Sequence, residues 1–338
     1  MPYKINNKII NKKLLTYVPH GISSEIFHPV SATDPKLIDF KRKLFQGKDY
    51  NFVLFLNSRN INRKRISNTI LAYRQFCDGL TKEESSKCLF VIHSEVVLDA
   101  GTNNIAVKEA LCPDYNILFS PGKLSPEELN LLYNSVDVTV CASSSEGFGL
   151  STAESIMAGT PIIATVTGGL QDQMNFVDDN GDQIKFTGNW GSNSDGKVKT
   201  CGRWAYPVYP VTRYVQGSPP TPYIFDEMAK WEDFGVGFMY WYMTPHRTRK
   251  QYGKEGRDWM LSSTGLSEKR MGREFINSMD FVFSNWVKPK PFGIFSTKDY
   301  IGNTMTRKQV GFEIPSIDKD LVKTKIENIK NDARFIKS

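Results

Sequence analysis

Two glutamates, Glu146 and Glu154, stand eight positions apart and flank a turn with the sequence Gly-Phe-Gly. The apolar run 136–140 before them and the run 161–164 after them are each typical of a short buried strand. A strand, a glycine turn and a helix N-terminus together form an anion site, because free backbone N–H groups and the helix dipole both favour a phosphate. The carboxylates accept hydrogen bonds, and beside a phosphate their natural partners are sugar hydroxyls. The segment therefore predicts a site for a phosphorylated sugar.

Apolar runs alternate with helical patterns along residues 14–175. The pattern predicts strands over 52–56, 89–93 and 117–119, a helix over 65–80, and a second helix capped by Ser125. Such alternation indicates an α/β fold, a Rossmann-like parallel sheet with helices on both faces. Ligands of such sheets bind beyond the carboxyl ends of the strands. Four candidate residues end or follow predicted strands, and we expect them to meet at one rim: Arg59, His93, Glu146 and Thr167.

Five sequence segments stand in a fixed order along this region. They are Tyr-Val-Pro-His-Gly-Ile at 17–22, Arg59 with Lys64, Leu-Ser-Pro-Glu-Glu-Leu at 124–129, the segment 146–154, and Thr-Gly-Gly-Leu at 167–170. In this order they resemble the donor-binding C-terminal domain of the retaining glycosyltransferases of family 4 (glycosyl transferases group 1), which have the two-domain GT-B fold. The resemblance is close over about residues 14–175 and looser over about 225–285. It implies a GT-B donor domain, here with an irregular insertion and a helical C-terminal extension.

The resemblance implies an enzyme, a retaining glycosyltransferase of the hexosyltransferase type. It would move a sugar from a UDP- or GDP-sugar to an acceptor hydroxyl, with retention at the anomeric carbon. Arg59 and Lys64 are expected to neutralise the departing diphosphate, and Glu146 to contact hydroxyls of the donor sugar. Glu154 is expected to accept hydrogen bonds from the ribose hydroxyls. Without the resemblance, the run 59–65 would be interpreted as a solvated basic loop.

Further donor-binding residues are implied by the same resemblance. They are Gly21, His93, Leu124, Gly147, Phe148, Gly149, Leu150, Ser151, Thr167 and Gly168. Two alternatives stay open: His93 as a structural residue, and Phe148 as a side chain that packs beneath the loop. No Asp-x-Asp pattern stands in a metal-binding context, so we expect no metal and no cofactor. The nucleotide sugar is expected to be a substrate.

Composition and pattern divide the chain into five regions. They are a lead-in (1–18), a nucleotide-sugar-binding core (19–177), a Gly/Pro/aromatic-rich insertion (178–224), a helical completion of the donor domain (225–287) and a basic extension (288–338). The insertion is rich in turn residues, which favours irregular structure. The bulky run 238–243 predicts a buried helix face rather than a patch that touches a membrane.

Members of the family place an acceptor-binding Rossmann domain before the Pro-His-Gly segment, whereas here 18 residues precede Pro19. Three explanations stay open. The chain is a fragment, a partner chain supplies the domain, or the insertion and the C-terminal region replace it. The gap also motivates an alternative function, a non-catalytic nucleotide-sugar-binding subunit that needs a partner chain.

The net charge of +7 is unevenly distributed. Residues 241–338 hold 19 Lys/Arg and 11 Asp/Glu, whereas the first 240 residues hold 24 and 25. Such an excess is typical either of solvated Lys-rich helices or of a surface for an anionic partner. The basic C-terminal region and the aromatic residues of the insertion leave modified nucleic acid open as an acceptor, less favoured than a glycan, a lipid-linked or another hydroxyl acceptor. These aromatic residues are Trp204, Tyr206, Tyr209 and Tyr214.

The cysteines indicate the compartment. They stand at 77, 88, 112, 141 and 201, odd in number and scattered, which argues against a disulfide scaffold or a zinc site. The N-terminus lacks the apolar core of a signal peptide, and no apolar run approaches the roughly 18 residues of a membrane span. We therefore expect a cytoplasmic protein.

Overall fold

The computed structural model describes residues 16–185, 191–219 and 221–286, and the backbone of two short strands nearer the N-terminus. Those strands, β1 (Lys4–Ile5) and β2 (Lys8–Ile9), pair in antiparallel fashion. The chain forms two units, one of residues 18–277 and one of residues 1–17 with 278–338. Every candidate site residue belongs to the first unit.

Within the described part of the chain, six strands form one sheet in the order β5-β4-β3-β6-β7-β8. They are β3 (Phe52–Asn57), β4 (Cys88–His93), β5 (Ile117–Phe119), β6 (Val138–Cys141), β7 (Ile162–Thr165) and β8 (Ala205–Val208). All pairings are parallel. The five strands predicted from the sequence are present, with ends that differ by at most two residues, so the α/β prediction is confirmed.

Helices follow most of the strands. They are α1 (Pro35–Leu44), α2 (Ile66–Asp78), α3 (Lys82–Ser86), α4 (Asn104–Leu111), α5 (Pro126–Ser135), α6 (Leu150–Met157), α7 (Leu170–Gln173), α8 (Trp231–Met243), α9 (His246–Leu261) and α10 (Glu268–Asn285). Ser125 caps α5 as predicted, because its hydroxyl accepts a hydrogen bond from the Glu128 N–H at 3.2 Å. The Glu128 carboxylate accepts one from the Ser125 N–H at 2.8 Å, which completes a capping box.

The central strand β3 shows how the two faces of the sheet are covered. Val53 and Phe55 belong to one buried cluster, with residues of α5 and α6. The alternate residues Phe52 and Leu54 belong to a second cluster, with residues of α2 and α8. Because side chains alternate across a strand, β3 is buried on both faces, as a parallel sheet between two helical layers requires.

The region 178–224 is more regular than the sequence indicated. Its residues Ala205–Val208 form β8, which pairs with β7 at the edge of the sheet. Pro207 is tolerated there because an edge strand need not donate every backbone hydrogen bond. Further along, β9 (Thr212–Ser218) and β10 (Thr221–Met228) pair as an antiparallel hairpin. The expectation of an irregular insertion is wrong for these residues.

Helices resume later than the sequence indicated. Phe225 lies in β10, and the next helix, α8, begins at Trp231. Phe238 and Trp241 on α8 are fully buried, in agreement with the predicted buried helix face. No helix in the described ranges is long and apolar enough to cross a membrane. The predicted basic extension 288–338 lies outside the described residues.

Candidate functional site

The order of the strands reverses between β3 and β6, the two central neighbours of the sheet. Connections from such a pair leave toward opposite sides and open a crevice beyond the carboxyl ends of the strands. The segment after β3, residues 58–65, is named here the basic loop. The segment after β6, residues 142–149, is named the glutamate loop. These two loops form the walls of the crevice.

Two cations of the basic loop meet one carboxylate of the glutamate loop. Lys64 Nζ contacts Glu146 Oε1, and Arg63 Nη1 lies 3.2 Å from Glu146 Oε2. The Ser143 hydroxyl donates to Glu146 Oε1 at 2.8 Å. Burial raises the pKa of Glu146, but the hydrogen bond and charge of Lys64, the Ser143 hydroxyl and the charge of Arg63 outweigh it. The pKa of Glu146 therefore lies below its ordinary value, and the side chain is ionised at neutral pH.

Two hydrogen bonds to backbone carbonyls fix the two loops against each other. The Ser144 N–H donates to the Arg63 carbonyl at 2.8 Å, and Arg63 Nη1 donates to the Ser145 carbonyl at 2.6 Å. Residues Asn62–Lys64 form a 3₁₀ turn that ends at Arg65, whose φ of +54° is left-handed. This turn directs Arg63 and Lys64 together toward the crevice.

The second glutamate, Glu154, belongs to a hydrogen-bonded chain across the sheet. The Tyr133 hydroxyl donates to Glu154 Oε2 at 2.8 Å, and Asn57 Nδ2 donates to the Tyr133 oxygen at 3.0 Å. Burial raises the pKa of Glu154 above its ordinary value, and the hydrogen bond from Tyr133 offsets this only in part. The other oxygen, Oε1, makes no hydrogen bond with any described residue. It is the atom of this carboxylate that is left to accept from a ligand.

Glycines allow the glutamate loop to turn into α6. Gly149 precedes the helix with a φ of +88°, and no side chain of the described residues caps the first turn of α6. Gly168 has a φ of +46°, and a Cβ there would lie 2.0 Å from the Glu146 carbonyl oxygen. The Gly169 N–H donates to that same carbonyl at 3.1 Å. The loop after β7 therefore packs directly against the backbone of Glu146.

Other residues expected at the site lie along the same rim. His93 ends β4, and its Nδ1 donates to the Ser120 carbonyl at 2.7 Å. Burial lowers the pKa of His93, so the ring is neutral at neutral pH and Nε2 is an acceptor. Thr167 follows β7 and is buried, Leu150 and Ser151 begin α6, and Leu124 packs against the core before α5.

Two expected residues have structural partners of their own. The side chain of Arg59 is 72% exposed, and its Nε lies 3.8 Å from Glu95 Oε1 rather than beside Glu146. Gly21 is buried where a Cβ would lie 2.4 Å from the Ser267 carbonyl oxygen, so close packing already requires glycine there. The neighbouring His20 ring lies 4.7 Å from the ring of Phe148, which brings this segment to the glutamate loop.

A cavity of about 400 Å³, named the first cavity, opens beside Glu146. Its walls come from the glutamate loop, from Thr167 and Gly168, and from the β9–β10 hairpin, which contributes Arg213, Phe225 and Glu227. Sequence reasoning did not find the hairpin residues, because none stands near the two glutamates in the chain. It also missed Arg63 as the second cation on Glu146, although the basic run 59–65 was a visible signal.

The aromatic residues that suggested a nucleic-acid acceptor have other partners. Trp204 is buried and stacks on Trp259 with ring centroids 5.3 Å apart. The Tyr214 hydroxyl contacts Arg65 and Asp226, and the Tyr209 hydroxyl donates to the Val198 carbonyl at 3.1 Å. These three side chains therefore have partners within the protein, whereas much of the basic C-terminal region on which that alternative also depended lies outside the described residues.

Among the residues that the structure describes, no group of three or more His, Cys, Asp or Glu side chains is placed to hold a metal ion. The five cysteines are free, and four of them are buried. The expectation that no metal or cofactor takes part stays a prediction.

The parallel sheet, its switch point and the two facing loops define a Rossmann-like α/β fold with a crevice at the switch point. Residues 38–181 match the family model of glycosyl transferases group 1. Over 46 residues the chain is 48% identical to the D-inositol 3-phosphate glycosyltransferase of Corynebacterium urealyticum, a match that covers 14% of this chain and 11% of that protein.

Solved structures of glycosyltransferases are similar in fold. A glycosyltransferase from Rickettsia africae superposes with a TM-score of 0.53 at 15% identity, over 80% of this chain and 57% of that chain. Sucrose-phosphate synthase from Thermosynechococcus elongatus gives 0.51 at 18% identity, over 79% and 52%. Anabaena HepE, solved in complex with UDP-glucose, gives 0.51 at 12% identity, over 77% and 56%. The chain thus spans slightly more than half the length of these structures, and at such identities the likeness concerns the fold.

Proposed function

We propose that this protein binds a nucleoside-diphosphate sugar in the crevice between β3 and β6 and transfers the sugar to an acceptor hydroxyl. The observation that supports this most directly is the meeting of the basic loop with the glutamate loop at the switch point. Cations there suit a diphosphate, and carboxylates there suit the hydroxyls on either side of it. The group 1 family match over residues 38–181 supports the same activity.

Lys64 and Arg63 would stabilise the departing diphosphate. Departure of a nucleoside diphosphate builds negative charge, and fixed cations in a partly buried site stabilise that charge without reorganisation. The ionised Glu146 holds both cations at the crevice. Arg59, at the exposed start of the basic loop, would add a third cation by turning from Glu95, a partner at 3.8 Å that holds it weakly.

The two glutamates would orient the two ends of the donor. Glu154 Oε1 would accept hydrogen bonds from ribose hydroxyls, while Oε2 is held by Tyr133. The glutamate loop would contact the sugar, and the first turn of α6, with free N–H groups and a positive dipole end, would contact the distal phosphate. Gly147 is exposed and has open space where a Cβ would be, which permits close approach of a ligand.

The proposed reaction breaks the bond between the anomeric carbon and the diphosphate oxygen and forms a bond from that carbon to the acceptor oxygen. The products are a glycoside, a nucleoside diphosphate and one proton. Retention at the anomeric carbon is proposed from the family resemblance alone. UDP is the first nucleotide to test, because HepE of the same fold was solved with UDP-glucose. We propose no bound metal, since Lys64 and Arg63 supply positive charge beside Glu146.

The first experiment is a calorimetric titration of the purified chain with UDP, GDP and ADP. Micromolar binding of one nucleotide is expected, weakened about tenfold or more in Lys64→Ala and Glu154→Ala, because each removes a charge-assisted contact. Arg74→Ala and Glu109→Ala are matched controls outside the crevice and should bind like the wild type. Absence of binding to all three nucleotides, or equal losses in the controls, would overturn the proposal.

A further inference from the structure

A second cavity of about 550 Å³ adjoins the first cavity. Four residues line both cavities: Gly191, Ser192, Arg213 and Glu227. The first cavity contains Glu146 and Gly147, where the proposed function places the donor sugar. A molecule in the second cavity would therefore lie next to that sugar, which is the position that a transfer reaction requires of its acceptor.

Glu227 lines both cavities, and one of its carboxylate oxygens has no hydrogen-bond donor among the described residues. The residue is only 5% exposed. Its Oε1 is buried and makes no hydrogen bond with any described residue. Arg213 Nε lies 3.7 Å from Oε1, which is an ion-pair distance but too long for a hydrogen bond. Because buried carboxylates are rarely left without donors, the Glu227 carboxylate, which lines both cavities, is a place for a hydroxyl from a ligand.

The backbone holds Glu227 beside the glutamate loop. Its N–H donates to the Ser144 carbonyl at 2.8 Å, and Ser144 lies two residues before Glu146. The preceding residue, Asp226, is fully buried and accepts a hydrogen bond from the Ser144 hydroxyl at 3.0 Å. Glu227 is therefore positioned relative to Glu146 by direct contacts of the hairpin with the glutamate loop.

The remaining walls of the second cavity combine three polar residues with Pro210 and Val211. Ser192, Ser194 and Thr212 contribute hydroxyls, and Asp195 contributes a carboxylate. Hydroxyls both donate and accept, whereas carboxylates accept only, so together they match a ligand with many hydroxyl groups. We propose that the second cavity is an acceptor subsite for a polyhydroxylated molecule, a sugar or a cyclitol, and that Glu227 accepts a hydrogen bond from one of its hydroxyls. That the bound molecule receives the transferred sugar rests on the proposed function.

Saturation-transfer NMR tests this subsite on the full chain. The probes are D-glucose, D-galactose, N-acetyl-D-glucosamine and myo-inositol, each measured with and without UDP. At least one probe should receive saturation from the wild-type protein. Thr212→Trp should fill the second cavity from an exposed strand position and reduce the signal about tenfold. Glu227→Ala should weaken binding of the same probe about fivefold through the lost hydrogen bond.

Val215→Trp is the matched control, because it adds the same side chain on the same strand at an exposed position outside both cavities. It should keep the wild-type signal. Should Thr212→Trp not fold, Ser194→Phe fills the same cavity from another segment. The proposed subsite is wrong if no probe receives saturation from the wild-type protein. It is also wrong if the cavity-filling variants or Glu227→Ala keep the full wild-type signal. The UDP affinity, measured in parallel by calorimetry, tests the donor site independently of the acceptor subsite.

Discussion

Lys64 and Glu146 are 82 positions apart in the chain and form an ion pair across the crevice between β3 and β6. The side chain of Lys64 is 14% exposed and that of Glu146 is 7% exposed, so neither charge is well solvated by water. A pair of this kind ties two crossing loops together and also keeps a cation beside the proposed diphosphate position. Structure and proposed activity therefore depend on the same contact.

The first prediction concerns the coupling of these two residues. Glu146→Gln should lower the free energy of unfolding by about 3 kcal/mol, because it leaves the buried charge of Lys64 without its partner. Lys64→Met should lower it by less, because Arg63 still pairs with Glu146. The double variant should lose no more than Glu146→Gln alone, since it removes the buried ammonium together with its partner. Urea unfolding of the four proteins measures this cycle. Strictly additive losses would show that the two side chains act independently.

The second prediction concerns the pH dependence of stability. The pKa of Glu146 is lowered in the folded state from its ordinary value of 4.5. A carboxylate with a lowered pKa stabilises the fold above that ordinary value and loses its contribution as the pH falls through the folded-state pKa. Between about pH 6 and about pH 3.5, the wild type should therefore lose more unfolding free energy than Glu146→Gln. Parallel curves for the two proteins would contradict this.

The sequence predicted the central strands because each is a contiguous apolar run that the sheet buries on both faces. It did not predict β8, whose four residues include Pro207 and follow a long turn-rich stretch. It did not predict the β9–β10 hairpin either, because proline and glycine stand within and around those strands. Local signals fail where pairing with a distant partner decides the structure.

The site could be predicted in its residue types but not in all its pairings. The basic run 59–65 indicated cations for a phosphate, yet the sequence cannot show which of them face the crevice. The 3₁₀ turn and the left-handed Arg65 decide that Arg63 and Lys64 reach Glu146, whereas Arg59 lies beside Glu95. The roles of Arg59 and of the other donor-binding residues stay predictions.

The third prediction concerns the hydroxyl that holds Glu154. Tyr133→Phe keeps the buried ring but removes the donor to Glu154 Oε2, which should weaken UDP binding about tenfold. The pKa of Glu154, already raised by burial, should rise further without this hydrogen bond. Loss of UDP affinity on acidification should therefore begin at a higher pH in Tyr133→Phe than in the wild type, as measured by calorimetry over a pH series.

The control for this prediction is Tyr115→Phe. The Tyr115 hydroxyl also donates to a carboxylate, that of Asp78 at 2.6 Å, but Tyr115 precedes β5 and so lies at the amino ends of the parallel strands, opposite the crevice. This variant should bind UDP like the wild type at every pH. An unchanged pH profile in Tyr133→Phe would show that the hydroxyl does not position Glu154 for the nucleotide.

The fourth prediction separates backbone strain from steric conflict at two glycines. Both Gly168 and Gly181 have positive φ values, +46° and +85°. A Cβ at Gly181 meets nothing within 4 Å, whereas one at Gly168 would lie 2.0 Å from the Glu146 carbonyl oxygen. Gly181→Ala should cost about 1 kcal/mol of stability from the left-handed backbone alone. Gly168→Ala should cost about 3 kcal/mol or more, because the glutamate loop must also move.

Thermal and urea unfolding of the two glycine variants measure the difference. Nucleotide binding adds a second readout, because only Gly168→Ala is expected to shift Glu146 and to weaken UDP binding. Equal stability losses in the two variants would mean that the loop after β7 yields at little cost and does not support Glu146.

The fifth prediction concerns the attachment of the hairpin to the glutamate loop. Asp226 is fully buried and accepts hydrogen bonds from the Ser144 and Tyr214 hydroxyls, at 3.0 and 3.3 Å. Asp226→Asn removes the charge that strengthens these bonds, so local opening of the hairpin should become easier. Tryptic cleavage after Arg213 should be about tenfold faster than in the wild type, the factor that corresponds to roughly 1.4 kcal/mol of lost attachment.

Asp179→Asn, in an exposed turn, is the control and should be cleaved at the wild-type rate. Equal protection of Arg213 in both variants would mean that contacts other than Asp226 hold the hairpin, and the first cavity would then keep its wall without this carboxylate.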